Sequence, residues 1–298
     1  MTFNPKDIVW TEKYRPKLVN EIVGDFKDKI KEYLKNSDNM PHFLFYSRTP
    51  GTGKTTIVKA IINELGCDSI TINSSDDRGI EAIREKVKEF AKSKSSNGNR
   101  RCVFLDEIDG ATRPAQDALR NIMETYASNA FFCLTCNNIN KVSDAIQSRC
   151  VCINFAYPNR DEIKKYLEMI CEKENLNYTD EGLDEILKYN YPSIRNCVIC
   201  LQDLKTESKD ITKENIKPIN SMFEEMWQKI KNKEWKDIKI IIMESTLDAR
   251  ELNTYFWEKA LEEENIKIIQ TCCRNEKDIS TGADANIIVV TSLIEMVK

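Results

Sequence analysis

From Val9 to Tyr157, short apolar runs alternate with stretches whose apolar residues recur at helical spacing. The short runs predict strands at Phe43–Tyr46, Ser69–Ile72, Cys102–Leu105, Phe131–Cys136 and Val151–Phe155. Ile57, Val58, Ile61, Ile62 and Leu65 share one face of a helix that follows the first strand. Strands alternating with helices predict an α/β fold built on a parallel sheet. A polar loop, Lys92–Arg100, enters the third strand. Pro158 marks a change, and beyond it the pattern is helical throughout. Ile163, Tyr166, Leu167 and Ile170 fall on one face, then Leu183, Ile186 and Leu187, then Ile194, Cys197, Val198 and Leu201. After a polar break at Lys205–Asp210 come amphipathic stretches at Phe223–Ile230, Ile238–Ile242, Leu252–Leu261 and Ile287–Met296. The expected division is an α/β core over 1–157, a small helical lid over 158–209 and an all-helical C-terminal domain over 210–298.

Candidate chemistry sits at the strand ends. The segment Pro50-Gly51-Thr52-Gly53-Lys54-Thr55-Thr56 lies between the first predicted strand and its helix. It matches the phosphate-binding pattern G-x-x-x-x-G-K-[ST], except that Arg48 stands where the first glycine belongs. Backbone N–H groups from Gly51 to Lys54 would surround phosphates at a helix N-terminus, where the dipole favours negative charge. Lys54 would reach the β- and γ-phosphates, and the Thr55 hydroxyl would join a Mg²⁺ shell. Arg48 lies at the entry turn, outside that cradle, so ATP binding is expected to survive it. In Arg101-Cys102-Val103-Phe104-Leu105-Asp106-Glu107-Ile108-Asp109, carboxylates follow a strand at its C-terminal end, where such sheets bind ligands. Asp106 is the expected Mg²⁺ holder and Glu107 the group that polarises the attacking water. Asn137, in Thr135-Cys136-Asn137-Asn138, ends the next strand and could bond both the γ-phosphate and that water; ordinary turn chemistry is the equal alternative.

Composition narrows this picture. Net charge is −4 with 31% charged residues, so no global basic field announces nucleic acid, and any such contact needs a local patch. No apolar run approaches the length that spans a bilayer, and the first residues are polar, so a cytoplasmic protein without membrane contact is expected. Eleven cysteines include Cys133-x-x-Cys136 and Cys197-x-x-Cys200. The first pair lies on a strand, where residues three apart point to opposite faces. The second lies beside Val198 and Leu201 on a helix face, where cysteine acts as a small hydrophobe. Free thiols in a reducing compartment are expected. A single histidine, His42, leaves no His-based acid–base site.

The order of these motifs, closed by Ser148-Arg149-Cys150, resembles the AAA+ ATPases and, within them, the small subunits of sliding-clamp loaders, the replication factor C small-subunit family. Trp10-Thr11-Glu12-Lys13-Tyr14-Arg15-Pro16 with Glu21-Ile22-Val23-Gly24, Asn73–Ile80 with Arg84, Gln116–Glu124 and Ala145–Cys150 carry the likeness, which is dense from residue 9 to about 204. The resemblance implies a helical collar for oligomerisation after the lid. It implies an adenine pocket from Val9, Tyr14, Arg15, Pro16 and Val23; plain packing of the N-terminal segment is their alternative role. Arg149 matches an arginine finger acting in trans, with a surface salt bridge as its alternative, and Arg195 a second sensor of the γ-phosphate. Arg78, Ile80, Arg84 and Arg113 match DNA-facing positions near helix N-termini; a solvated charged face is their alternative. Gln116 sits where the family couples DNA to the catalytic centre, and Arg120 matches either an interfacial residue or a solvated helix face. The implied activity is ATP hydrolysis with Mg²⁺, stimulated by DNA and clamp. The implied partners are further clamp-loader subunits, in a pentamer with several copies of this chain, a ring-shaped sliding clamp and primer–template DNA. Arg48 and the divergent C-terminal region look like the loaders of tailed phages, which implies a bacterial cytoplasm. A branch-migration motor or helicase loader, or a non-hydrolysing ATP-binding scaffold, are the alternatives.

Overall fold

The computed structural model describes residues 9–36, 39–74, 80–93, 100–155, 157–216, 221–238 and 249–297, with the backbone alone at 80–84, 221, 222 and 297. The chain divides into two compact units, 1–216 and 217–298. In the first, α1 (Trp10–Lys13) and α2 (Lys27–Leu34) precede β1 (His42–Tyr46), α3 (Lys54–Leu65) and β2 (Ser69–Asn73). Then come α4 (Ile80–Lys92), β3 (Arg101–Asp106), α5 (Arg113–Thr125), β4 (Ala130–Cys136), α6 (Asp144–Gln147) and β5 (Cys150–Asn154). All pairs in the sheet are parallel, in the order β2-β3-β4-β1-β5.

This topology positions the site. Every residue of central β4 is buried, as a parallel strand covered on both faces requires. Alternate residues feed two cores. Leu44, Val103, Leu105, Phe132 and Leu134 pack with α4 and α5, while Phe43, Phe45, Phe104 and Phe131 pack with α2 and α3. Cys136 joins the first core and Cys133 the second, so the pair at i and i+3 does face opposite ways. The helix after β1 thus covers one face and those before β3 and β4 the other. The crossover point lies between β1 and β4, and ligands of open α/β sheets bind at such a switch. Observed strands match the predicted ones to within about a residue at each end; β5 stops at Asn154, one short of the expected Phe155.

Helices α7 (Arg160–Glu174), α8 (Asp180–Asn190) and α9 (Ile194–Thr206) form the lid. Asn159, Thr179 and Ser193 cap them by accepting from first-turn N–H groups. The lid's core recruits Trp10 and Val23 from the N-terminal segment. It also continues past the expected limit at 209. The Thr179 N–H donates to Ile211 O (3.0 Å), the Ile211 N–H donates to Asn177 O (2.9 Å), and Ile211 and Ile216 are buried with the lid helices. The compact unit therefore ends at Ile216: α9 runs on to Thr206, and the chain after it turns back along the lid.

In the second unit, α10 (Ser221–Lys231), α11 (Ala249–Glu262), α12 (Ile266–Ser280) and α13 (Ala285–Val297) enclose Trp227, Phe256 and Leu293. A buried polar ladder crosses it: Asn275 Nδ2 donates to Asn253 Oδ1 (2.9 Å) and Ser292 Oγ (2.8 Å), and Asn253 Nδ2 donates to Cys272 O (3.1 Å). Among the described residues no helix is long and apolar enough to cross a membrane.

Asn275→Ala strips donors from two buried partners and should cost about 2 kcal/mol, read as a lower midpoint of urea unfolding of the full chain. His42 Nδ1 accepts from the Phe132 N–H (3.1 Å). Burial, with Arg100 nearby, holds the imidazole at a pKa of about 4 against an ordinary 6.5. The unfolded chain binds this proton first as pH falls, so the contribution is full above about 6.5 and lost toward about 4. His42→Gln should therefore flatten the decline in stability across that window, measured as unfolding midpoint against pH.

Candidate nucleotide site

Strand ends, phosphate loop, N-terminal segment and lid enclose one cleft of about 920 Å³, open mouth included. Gly51 (φ +79°) and Gly53 (φ +105°) hold left-handed backbones, and Gly53 caps α3, so successive N–H groups turn toward the cleft. Lys54 opens α3 and is only 8% exposed. Its Nζ donates to Ser47 O (3.3 Å) and Thr49 O (3.1 Å). Burial lowers its pKa, opposed by Cys136, Asp106 and Asp109. A buried ammonium facing a ring of amides suits a polyanion. Arg48 is exposed and its backbone is not left-handed, so this turn does not require glycine. The Ser47 hydroxyl closes the turn instead, accepting from the Thr49 N–H (3.2 Å).

Asp106, at the end of β3, gathers the neighbouring elements. It accepts from Thr55 Oγ1 of α3 (3.2 Å to each carboxylate oxygen) and from Thr135 Oγ1 of β4. Thr135 Oγ1 in turn accepts from the Glu107 N–H (3.0 Å). Glu107 takes a left-handed backbone (φ 55°, ψ 48°), a conformation that costs a non-glycine residue about 1 kcal/mol. The Thr135 bond holds it there, on the cleft wall. Asp109 Oδ2 accepts from the N–H groups of Asn137 (3.2 Å) and Asn138 (2.9 Å), which fixes the loop carrying Asn137. Thr55 and Asp106 offer hard oxygens side by side, a donor set that fits Mg²⁺.

Arg15, Pro16 and Val23 line the opposite wall, and Arg15 Nη1 donates to Thr56 Oγ1 (2.9 Å). Pro50, Gly51, Gly53, Lys54, Thr55, Thr56, Asp106, Glu107, Asn137 and Arg195 also line the cleft. Three expected residues do not. The Tyr14 hydroxyl donates to Glu174 of the lid and its ring packs edge-on against Trp10, because the N-terminal segment docks on the lid core. Val9 is exposed at the start of α1. Thr52 is buried and faces a separate recess beside Phe26, Asn154 and Phe155. Thr11 and Ile22, from the N-terminal boxes that carry the resemblance, also line the cleft; sequence reasoning missed Tyr166, Ile194 and Val198, which complete the apolar wall, and gave no role to Thr135 or Asp109. The Tyr166 hydroxyl donates to Tyr14 O (2.8 Å), so the lid supplies the aromatic face expected from the N-terminus.

Arg195 reaches the cleft from α9, and its N–H donates to Gly51 O (3.2 Å). A Cβ on Gly51 would lie 2.9 Å from Arg195 Cβ and would collide with Ser193 Oγ. The other expected residues lie outside the cleft. Arg149 follows α6 and binds Glu124 of α5. Arg113 is exposed at the start of α5, and half-buried Arg120 bonds Asn121 (3.0 Å). Buried Gln116 donates to Ala111 O (3.2 Å) and Lys141 O (3.0 Å) and accepts from the Ser143 N–H (2.8 Å), tying α5 to the segment after Asn137. Ile80 and Arg84 fall in the first turns of α4, where only the backbone is described, and Arg78 lies outside the described residues.

The ATPase family associated with various cellular activities (AAA) matches residues 44–157. The replication factor C small subunit of Halobacterium salinarum is 36% identical over 220 residues, covering 72% of this chain and 68% of its own. Replication factor C small subunit 2 of Pyrobaculum arsenaticum is 38% identical over 218 residues, covering 70% and 67%. Among solved structures, the Thermotoga maritima RuvB Holliday junction branch migration motor superposes with a TM-score of 0.58 at 17% identity, covering 73% of this chain and 79% of that one. At that identity the likeness speaks for the fold alone. Sequence kinship and the motif order agree, and the chain belongs to the replication factor C small-subunit family of AAA ATPases.

Proposed function

We propose that this chain is an ATP-hydrolysing subunit of a clamp loader, which uses ATP to place a ring-shaped sliding clamp on primer–template DNA. The convergence of Lys54, Thr55, Asp106, Glu107, Asn137 and Arg195 on one cleft carries the reading. The amides of Gly51 to Lys54 and the Lys54 ammonium bind the phosphates. Mg²⁺ held by Thr55 and Asp106 would neutralise charge between the β- and γ-phosphates. Glu107 orients the attacking water, and Asn137 bonds the γ-phosphate side. Arg195, bonded through its backbone to Gly51, lets the lid sense that phosphate. Pro16, Val23, Tyr166 and Val198 enclose the base.

Arg149 acts on the ATP of a neighbouring subunit, so turnover requires assembly. The helical second unit serves as the collar of a hetero-oligomer, a pentamer with several copies of this chain. Arg78, Ile80, Arg84 and Arg113 grip DNA phosphates without reading sequence. Gln116, and Arg120 at the interface, relay that contact to the site. Arg48 and the divergent C-terminal region motivate a tailed-phage origin. An intact Glu107 beside Asp106 disfavours a non-hydrolysing scaffold.

The test is ATP turnover by the complex assembled with its partner subunits. Primed DNA plus clamp should raise the rate at least tenfold, and Glu107→Gln should lower it by roughly 10² or more, in the range typical of catalytic acid–base groups, with ATP still bound. A rate indifferent to both DNA and clamp would refute the reading. Gly51→Ala should weaken nucleotide binding at least tenfold in a fluorescent-ATP titration, since its Cβ pushes away Ser193 and Arg195.

A further inference from the structure

Arg149 is held from two sides within its own subunit. Its Nε donates to Glu124 Oε1 (2.6 Å), and Nη2 pairs with the same carboxylate. Nη1 donates to Ala145 O (2.6 Å) and faces Ser148 Oγ (3.3 Å). Glu124 stands one residue from the end of α5, a helix pinned under the sheet by buried Leu119, Ile122 and Met123. The carboxylate is therefore anchored to a rigid element. The side chains of Arg149 and Glu124 remain 34% and 49% exposed, and ion pairs this open add little to folding. A long arginine that must meet a phosphate across a subunit boundary gains from being held in one rotamer beforehand. One guanidinium edge rests on Glu124. The Nη1 side, bonded to a backbone carbonyl and a hydroxyl, is the side that can exchange those partners for an anion.

We propose that Glu124 is a positioning residue for Arg149. It presents the guanidinium to the γ-phosphate bound by the neighbouring subunit, and so acts on that subunit's turnover. The inference rests on the reading of Arg149 as acting in trans, and the experiment separates the two. ATP turnover by the assembled complex, with primed DNA and clamp, is measured for Glu124→Ala, Glu124→Asp, Arg149→Ala and the double variant. Glu124→Ala should lower kcat about tenfold with KM for ATP and thermal midpoint unchanged, because no group touching its own nucleotide is altered. Glu124→Asp should recover part of the loss, and the double variant should be no slower than Arg149→Ala alone. A normal kcat for Glu124→Ala beside a slow Arg149→Ala overturns the proposal, as do losses that simply multiply in the double variant. A normal rate for Arg149→Ala would instead overturn the trans reading beneath it.

Discussion

The site depends on the carboxylate of Asp106. It receives the hydroxyls of Thr55 and Thr135, so the end of β3 is tied to the helix that follows β1 and to the end of β4. Those elements are neighbours because the sheet order places β4 between β3 and β1. The same Thr135 hydroxyl holds Glu107 in its left-handed turn. One node thus sets the phosphate loop, Thr55, Asp106 and Glu107 in register. Asp109 extends it to the Asn137 loop, and Gln116 ties that loop to α5.

The lid belongs to the site as much as the sheet does. Trp10 is buried among lid side chains, its N–H donates to Gln202 (2.9 Å), and Tyr14 and Lys13 both meet Glu174. Trp10, Tyr14 and Val23 of the N-terminal segment thus pack with the lid helices beside the cleft. Contact with the core is made by Arg15 on Thr56, by the Arg195 N–H on Gly51, and by Val19 and Ile22 buried against α3.

Much of this was legible in the sequence because strand ends carry their own signals. The strands, the phosphate loop, Asp106, Glu107 and Asn137 came from apolar runs followed by polar residues of fixed type. What failed depended on tertiary packing. Tyr14 reads as a pocket aromatic, yet its segment docks on the lid and turns the ring away; Tyr166, legible only as one member of an apolar helix face, takes the wall instead. Thr135 and Asp109 are short polar residues whose roles exist only once β3 and β4 are adjacent. The apparent break at Lys205–Asp210 hid a bridge from Ile211 back to Tyr178 that no local pattern announces. Arg48 stands where the motif has glycine, and the structure shows that this turn does not require one: it is closed by Ser47, with no left-handed residue in it.

The central claim is that each cleft is completed by the arginine of another copy. The most direct measurement mixes chains carrying Glu107→Gln with chains carrying Arg149→Ala, each inactive alone, and follows ATP turnover by the complexes they form. An Arg149→Ala cleft facing an intact arginine on a Glu107→Gln neighbour contains every required group. The account predicts partial recovery of turnover that rises as the mixture approaches equal proportions. Mixtures that remain as inactive as either variant alone, although assembled, would contradict it.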